Sequence, residues 1–171
     1  MKPWRILVLA VVAVSIAALG VASRVNFTPF IVWNASASAP IGLYRIESRA
    51  PRIGDFALVK PDAGLEDFIV ARGYLPENIP LLKRVAALSG ARICREDIAT
   101  FIDGSPVAEA LRVDSEGRAM PVWQGCFSLR DDEIFLLNSP ANSLDGRYFG
   151  ATKITQVIGV AIPVLTWERY R

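Results

Sequence analysis

ITQVIGVAIPVLTW, Ile154 to Trp167, decides what kind of molecule this chain is. The run is apolar enough to raise a membrane span, and that reading would make the chain a two-helix membrane protein. It is only about fourteen residues long, short of the ~20 that a spanning helix needs. It also contains Pro163 and is rich in β-branched residues, which suit a pleated sheet better than a helix interior. As a closing core strand, it makes the segment before it one mainly β, antiparallel domain.

The preceding segments agree. Short apolar runs are separated by Gly, Pro, Asp and Asn, as expected of a β-rich chain. IGLYRIE and DFALVK alternate as strands do, with turn residues PRIG between them. GLEDFIVARGYL differs: Leu65, Phe68, Ile69 and Arg72 fall at helical spacing, Asp62 can cap, and Gly73 can stop. One short helix is predicted there. PLLKRVAAL reads as a buried strand, followed by ARIC. TFIDGSPVA places Asp103-Gly104 as a two-residue hairpin turn. Leu111 to Gln124 reads as a surface loop, and GCFSLRDDEIFLLN as a strand pair around an acidic turn.

The N-terminus is of another kind. Eighteen residues from Ile6 to Ser23 carry no charge. As a helix they would span ~27 Å, close to the ~30 Å of a hydrocarbon core. Lys2 and Arg5 precede the run and Arg24 follows, so the positive-inside rule favours a cytoplasmic N-terminus. A cleaved signal peptide is the competing reading, because ALGVAS offers small residues. Length favours a retained anchor over residues 1–25, with an exported domain at 26–171.

Composition removes several function classes. There is no histidine, so Ser-His-Asp and Cys-His catalysis are excluded, as is any imidazole-ligated zinc. A formal net charge of +2 gives no electrostatic footprint for nucleic acid. Two cysteines, Cys94 and Cys126, cannot form a four-thiolate site; in an exported domain they read as one disulfide.

NASASAPIGLYRI, Asn34 to Ile46, then poses the functional question. It is either a linker past the anchor or the home of a nucleophilic serine. A serine needs a base, and without histidine the base is Lys, Asp or Glu. At a reference pKa of ~10.4 only about one lysine in 2,500 is neutral at pH 7, and burial can lower that pKa by ~3 units. Of the four lysines, Lys2 lies on the cytoplasmic side, Lys60 precedes a proline at a strand end, and Lys153 sits in polar ATKIT. Lys83 alone has Leu81, Leu82, Val85 and Ala86 around it. The competing reading is an edge-strand lysine that snorkels to water. No serine has lysine three residues later, so the S-x-x-K pattern of penicillin-recognising enzymes is absent.

Four segments in this order resemble the type I signal peptidases (S26-type Ser-Lys peptidases), and more closely their TraF-type, conjugative-transfer branch. SASAPIGLYRI resembles the serine box S-x-P-x-G-x-Y, PRIGDFALV the Gly-Asp strand (Gly54 and Asp55), LLKRVAALSGARI the lysine box, and NSPANSLDGRYFG the S-x-D-x-R-x-x-G box. The resemblance implies a signal-peptidase-like antiparallel β catalytic domain with an apolar surface near the bilayer. It implies Ser38 as nucleophile, Lys83 as general base and a part in activity for Asp145. Ser36 would supply an oxyanion donor, Ser143 would orient the lysine, and Arg147 would pair with Asp145. Pro40, Gly42, Tyr44 and Gly150 fill the boxes' structural positions. The broader S-M-x-P pattern is not met, since Ser38-Ala39-Pro40 is one residue shorter and lacks methionine.

The activity so implied is a membrane-anchored serine endopeptidase that cleaves exported precursors after small residues. A conjugative pilin precursor is the implied partner, with cyclisation of the product in some members. The location implied is the bacterial inner membrane with a periplasmic domain. No cofactor, metal or nucleic acid is implied; the lipid bilayer is a partner. Two rivals stand beside it: a non-catalytic membrane-anchored β module of the transfer apparatus, and a LexA-like self-cleaving repressor. The second is cytoplasmic and DNA-binding, which the eighteen-residue apolar run disfavours.

Overall fold

The computed structural model describes residues 3–22 and 29–167. Lys2 and Arg24, on which the orientation argument partly rests, and the proposed boundary at residues 25 and 26 lie outside the described residues. The apolar run forms α1 (Pro3–Ala22), whose window Pro3–Gly20 has mean hydropathy 2.0 and no burial against the rest of the chain. Among the described residues it is the one helix long and apolar enough to cross a membrane.

The domain is built from β1 (Ile31–Asn34), β2 (Ile41–Glu47), β3 (Phe56–Val59), α2 (Ala63–Ala71), β4 (Leu81–Ala87), β5 (Arg92–Glu96) and β6 (Ala99–Ile102). It continues through β7 (Ser105–Glu109), β8 (Gly125–Ser128), β9 (Glu133–Leu136), α3 (Gly146–Phe149), β10 (Thr152–Lys153) and β11 (Val157–Trp167). Seven strands form one antiparallel sheet in the order β1-β2-β11-β3-β4-β9-β10, and four form a second in the order β7-β6-β5-β8.

The last apolar run is therefore a strand, and it lies inside the large sheet between β2 and β3. Its first residues, Ile154–Gln156, make a 3-10 turn instead. Pro163 falls where the pairing with β2 shifts register, a place where a residue without an N–H costs no ladder bond. Gly159, Val160 and Ala161 are buried, whereas Val164 and Leu165 are exposed. The strand is half core and half surface.

The predicted helix is present as α2, and Asp62 caps it by accepting from Leu65 N at 2.9 Å. The Asp103-Gly104 turn is also present, with φ of 49° and 81°, the pair of positive angles that a tight hairpin uses. Leu111 to Gln124 is largely irregular, as expected, but it is not loose. Asp114 accepts from Tyr74 Oη, Arg118 Nε and the Glu116 and Arg118 amides, which fastens the loop to the end of α2.

One expectation is corrected. GCFSLRDDEIFLLN gives two strands, but they are not partners: β8 pairs with β5 in the small sheet, while β9 pairs with β4 and β10 in the large one. Leu129 marks the crossing; it is 3% exposed and packs with Ala87, Ile93, Phe135 and Leu137, drawn from both sheets. Burial at the crossing outweighs hairpin closure. Cys94 and Cys126 stand opposite each other on β5 and β8 and are joined as a disulfide.

Candidate active site

The serine box occupies the connection from β1 to β2. Ser36 is exposed and Ser38 half-buried, and their hydroxyls lie 3.0 Å apart. Ser38 N also donates to Ser36 Oγ at 3.3 Å. The flanking residues anchor this tip: Ala39 is buried with Tyr44, Phe56 and Leu82, and Tyr44 Oη donates to Pro40 O at 2.6 Å. Gly42 is required by close approach, because a Cβ there would sit 2.1 Å from Leu165 O.

Lys83 lies in β4, which is buried on both faces at this point. Its register partner is Ala57, a small residue that leaves space for the lysine stem. Lys83 is 5% exposed, and its Nζ donates to Ser143 Oγ at 2.9 Å. Burial pushes its pKa down to about 8; Asp145 pulls upward and Arg147 adds to the depression. Lys60 and Lys153 are both exposed. The snorkelling alternative for Lys83 does not describe this structure.

Ser143, Asp145 and Arg147 are almost fully buried. Arg147 grips Asp145 through Nε at 2.8 Å and Nη2 at 3.1 Å, and also donates to the carbonyls of Glu109, Asn138 and Ala141. Asp145 caps α3 and accepts from Asn138 N at 3.0 Å. Its oxygens are thus engaged within the box, and it reaches Lys83 through its field. Gly150 closes α3 with φ of 77°, a conformation that favours glycine.

The structure brings Lys83, Ser143 and the Asp145–Arg147 pair together, and it brings Ser36 and Ser38 together. Among the described residues no hydrogen bond joins the two groups, since Lys83 Nζ bonds to Ser143 and Ser38 Oγ to Ser36. Lys83 lines a small cleft with Leu81, Leu136, Phe149 and the cap Asp62. A cavity of about 550 Å³ is lined by residues such as Arg49, Ser89 and Glu133 and touches none of these groups. Two residues that pattern reading passed over, Asn34 and Asn138, make side-chain bonds to the backbone around Ser38 and Lys83.

Comparison with known proteins gives the family of the chain. The family profile described as signal peptidase, peptidase S26, matches residues 4–167. The chain belongs to the signal peptidase S26 family. Within it, the chain is 37% identical over 157 residues to a conjugal transfer protein TraF of Agrobacterium fabrum, covering 85% of this chain and 83% of the relative. It is 33% identical over 174 residues to a probable conjugal transfer protein TraF of Sinorhizobium fredii, covering 94% and 90%. A plasmid transfer protein TraF of Escherichia coli is 30% identical over 145 residues, covering 78% and 82%. A crystal structure of signal peptidase I from Enterococcus faecalis superposes with a TM-score of 0.40 at 19% identity, over 67% of this chain and 98% of that one.

Proposed function

We propose that this S26 family chain is a membrane-anchored serine endopeptidase with Ser38 as nucleophile and Lys83 as general base. Its substrates are exported precursors cut after small residues, foremost the pilin precursor of a conjugative transfer system. The observation that supports this most is the buried Lys83 amine on Ser143, with its pKa lowered to about 8. At pH 7 about one such amine in eleven is neutral, against about one in 2,500 for an ordinary lysine. That is a gain of some two hundred-fold in competent base.

The chemistry follows from the groups present. In the resting structure Lys83 bonds to Ser143, so the substrate complex must bring Ser38 Oγ to the amine. The neutral amine takes the Ser38 proton while Oγ attacks the scissile carbonyl carbon. The Ser38 N–H and the Ser36 hydroxyl donate to the oxyanion, each exchanging its present partner for it. Collapse breaks the C–N bond, the Lys83 ammonium protonates the leaving amine, and an acyl ester remains on Ser38. Water ends the cycle by hydrolysis; a pilin amino terminus attacking in its place would give a cyclic product.

The same reading places α1 across the inner membrane with the β domain on the periplasmic side. An apolar outer face supports contact with lipid. Trp33, Leu43 and Leu165 share a cross-strand row, Ile41 pairs with Trp167, and the Trp33 and Trp167 rings are 5.5 Å apart. Phe30 and Ile31 are exposed beside them. From Ala22 to Ile31 the chain reaches at most ~32 Å, so this face cannot stray far from the bilayer.

The test is co-expression with a candidate pilin precursor. Ser38→Ala and Lys83→Ala are each expected to leave the precursor uncut, while wild type matures it. Normal maturation by both variants would reject the dyad and leave a non-catalytic β module of the transfer apparatus.

A further inference from the structure

We infer that two asparagines, Asn34 and Asn138, are the positioning residues of this site, each bracketing the backbone on both sides of one member of the Ser38–Lys83 pair. The inference rests on the proposed dyad and says how its two halves are held.

Asn34 is the last residue of β1 and is 8% exposed, although the serine tip beyond it is open. Its Nδ2 donates to the carbonyls of Ser36 at 2.9 Å, Ala39 at 3.2 Å and Pro40 at 3.0 Å. Its Oδ1 accepts from Ser36 N at 3.1 Å. These atoms lie before and after Ser38, so one amide group closes the tip into a ring around the nucleophile. Only a primary amide offers two donors and an acceptor at this reach. Alanine would hand every one of these contacts to water. Aspartate would set a negative charge against three carbonyl oxygens.

Asn138 follows β9 and is 5% exposed. Its Oδ1 accepts from Arg84 N at 2.9 Å and its Nδ2 donates to Leu82 O at 3.1 Å, the peptide groups on either side of Lys83. The pairing of β4 with β9 shifts register between Val85 and Ala87 and includes no partner for Lys83 itself. The asparagine side chain supplies the bonds that the ladder does not make there. Its own amide donates to Asp145 Oδ2 at 3.0 Å, and its carbonyl accepts from Arg147 Nη2. The lysine strand and the Asp145–Arg147 pair are thereby tied through one residue. In both places the asparagine fixes the backbone and takes no bond from the reactive side chain itself, which is what preorganisation requires.

The two roles leave different kinetic marks. The groups facing Lys83 are the Ser143 hydroxyl, the Asp145 carboxylate, the Arg147 guanidinium and Asp62 on the wall of the same cleft. Asn34→Ala leaves all of these in place. It is expected to lower kcat by roughly 10–100-fold with KM held within about threefold, and to leave the acid limb of the pH profile where wild type has it. Asn138→Ala loosens the strand that keeps Lys83 from water, so its acid limb is expected to move upward from wild type by about one pH unit. Asn34→Ser and Asn138→Ser add no charge and are too short to make both sets of bonds; they repeat the test should an alanine variant not fold.

The assay uses the full chain in detergent micelles and a quenched fluorogenic peptide with alanine on the acyl side of its scissile bond. Rates are taken per folded enzyme, from near-UV circular dichroism and thermal melts, with Ser38→Ala as control. Loss of activity in Ser38→Ala together with the two distinct marks supports the inference. If Ser38→Ala cleaves as wild type does, the dyad falls and the inference falls with it. If Ser38→Ala is inactive but the asparagine variants keep wild-type kcat and acid limb per folded molecule, the dyad stands and the positioning role is overturned. Losses that merely follow the folded fraction overturn it as well.

Discussion

Lys83 trades hydration for one neutral hydroxyl and a carboxylate that is already spoken for by Arg147. Moving a lysine pKa from ~10.4 to about 8 corresponds to about 3 kcal/mol of destabilisation of the charged form. Below about pH 8 both folded and unfolded chains hold the proton, and this cost is constant. Between about 8 and ~10.4 the unfolded chain keeps the proton that the folded chain has released, so stability rises with pH through that window. Lys83→Met should therefore abolish cleavage yet raise stability at pH 7 by about 1–3 kcal/mol in urea unfolding, and flatten the rise at alkaline pH. A variant less stable than wild type at pH 7 would sink this account. Lys83 was legible in the sequence because its apolar neighbours are adjacent in the chain. Asn34 and Asn138 were not, because an asparagine beside a turn looks ordinary until its bonds to distant backbone are seen.

The helix α2 and every strand except β1 and β10 were legible for the same local reason: alternation, cap and stop residues all act within a few positions. Which strands pair was not. β8 and β9 adjoin in sequence and yet belong to different sheets, since the burial of Leu129 between them is a tertiary matter. The glycines of the boxes separate in the same way. Gly42→Ala would add a Cβ 2.1 Å from Leu165 O at a φ of +143°, so strain and a backbone clash combine. Gly150→Ala meets no atom within 4 Å and carries strain at φ +77° alone. Gly150→Ala is expected to cost about 1–3 kcal/mol, and Gly42→Ala more than that, read as the drop in thermal midpoint. Equal losses would mean that β11 yields readily where it crosses Gly42.

The two sheets are joined through shared packing around Ile93, Phe135 and Leu137, and by Arg95, which is 2% exposed and donates to Arg147 O. Arg95 adjoins Cys94, so the disulfide stands next to the tie between the small sheet and the S-x-D-x-R box. Its cysteines are 32 positions apart, a loop for which closure entropy predicts about 3–4 kcal/mol of stabilisation. Reduction with dithiothreitol should lower the unfolding midpoint accordingly, and the native protein should resist alkylation until it is reduced. Ready labelling of unreduced protein would count against the pairing.

The place of β11 has a further consequence for how the domain comes into being. β2 and β3 are not neighbours in the sheet; each waits for the strand encoded last among the described residues. A nascent chain emerging from the ribosome can make its local hairpins early, but the centre of the sheet stays open until Val157–Trp167 arrives. Only then are the segment that carries Ser38 and the strand that carries Lys83 fixed in one frame. An unfinished or truncated chain should hold both residues and no assembled site.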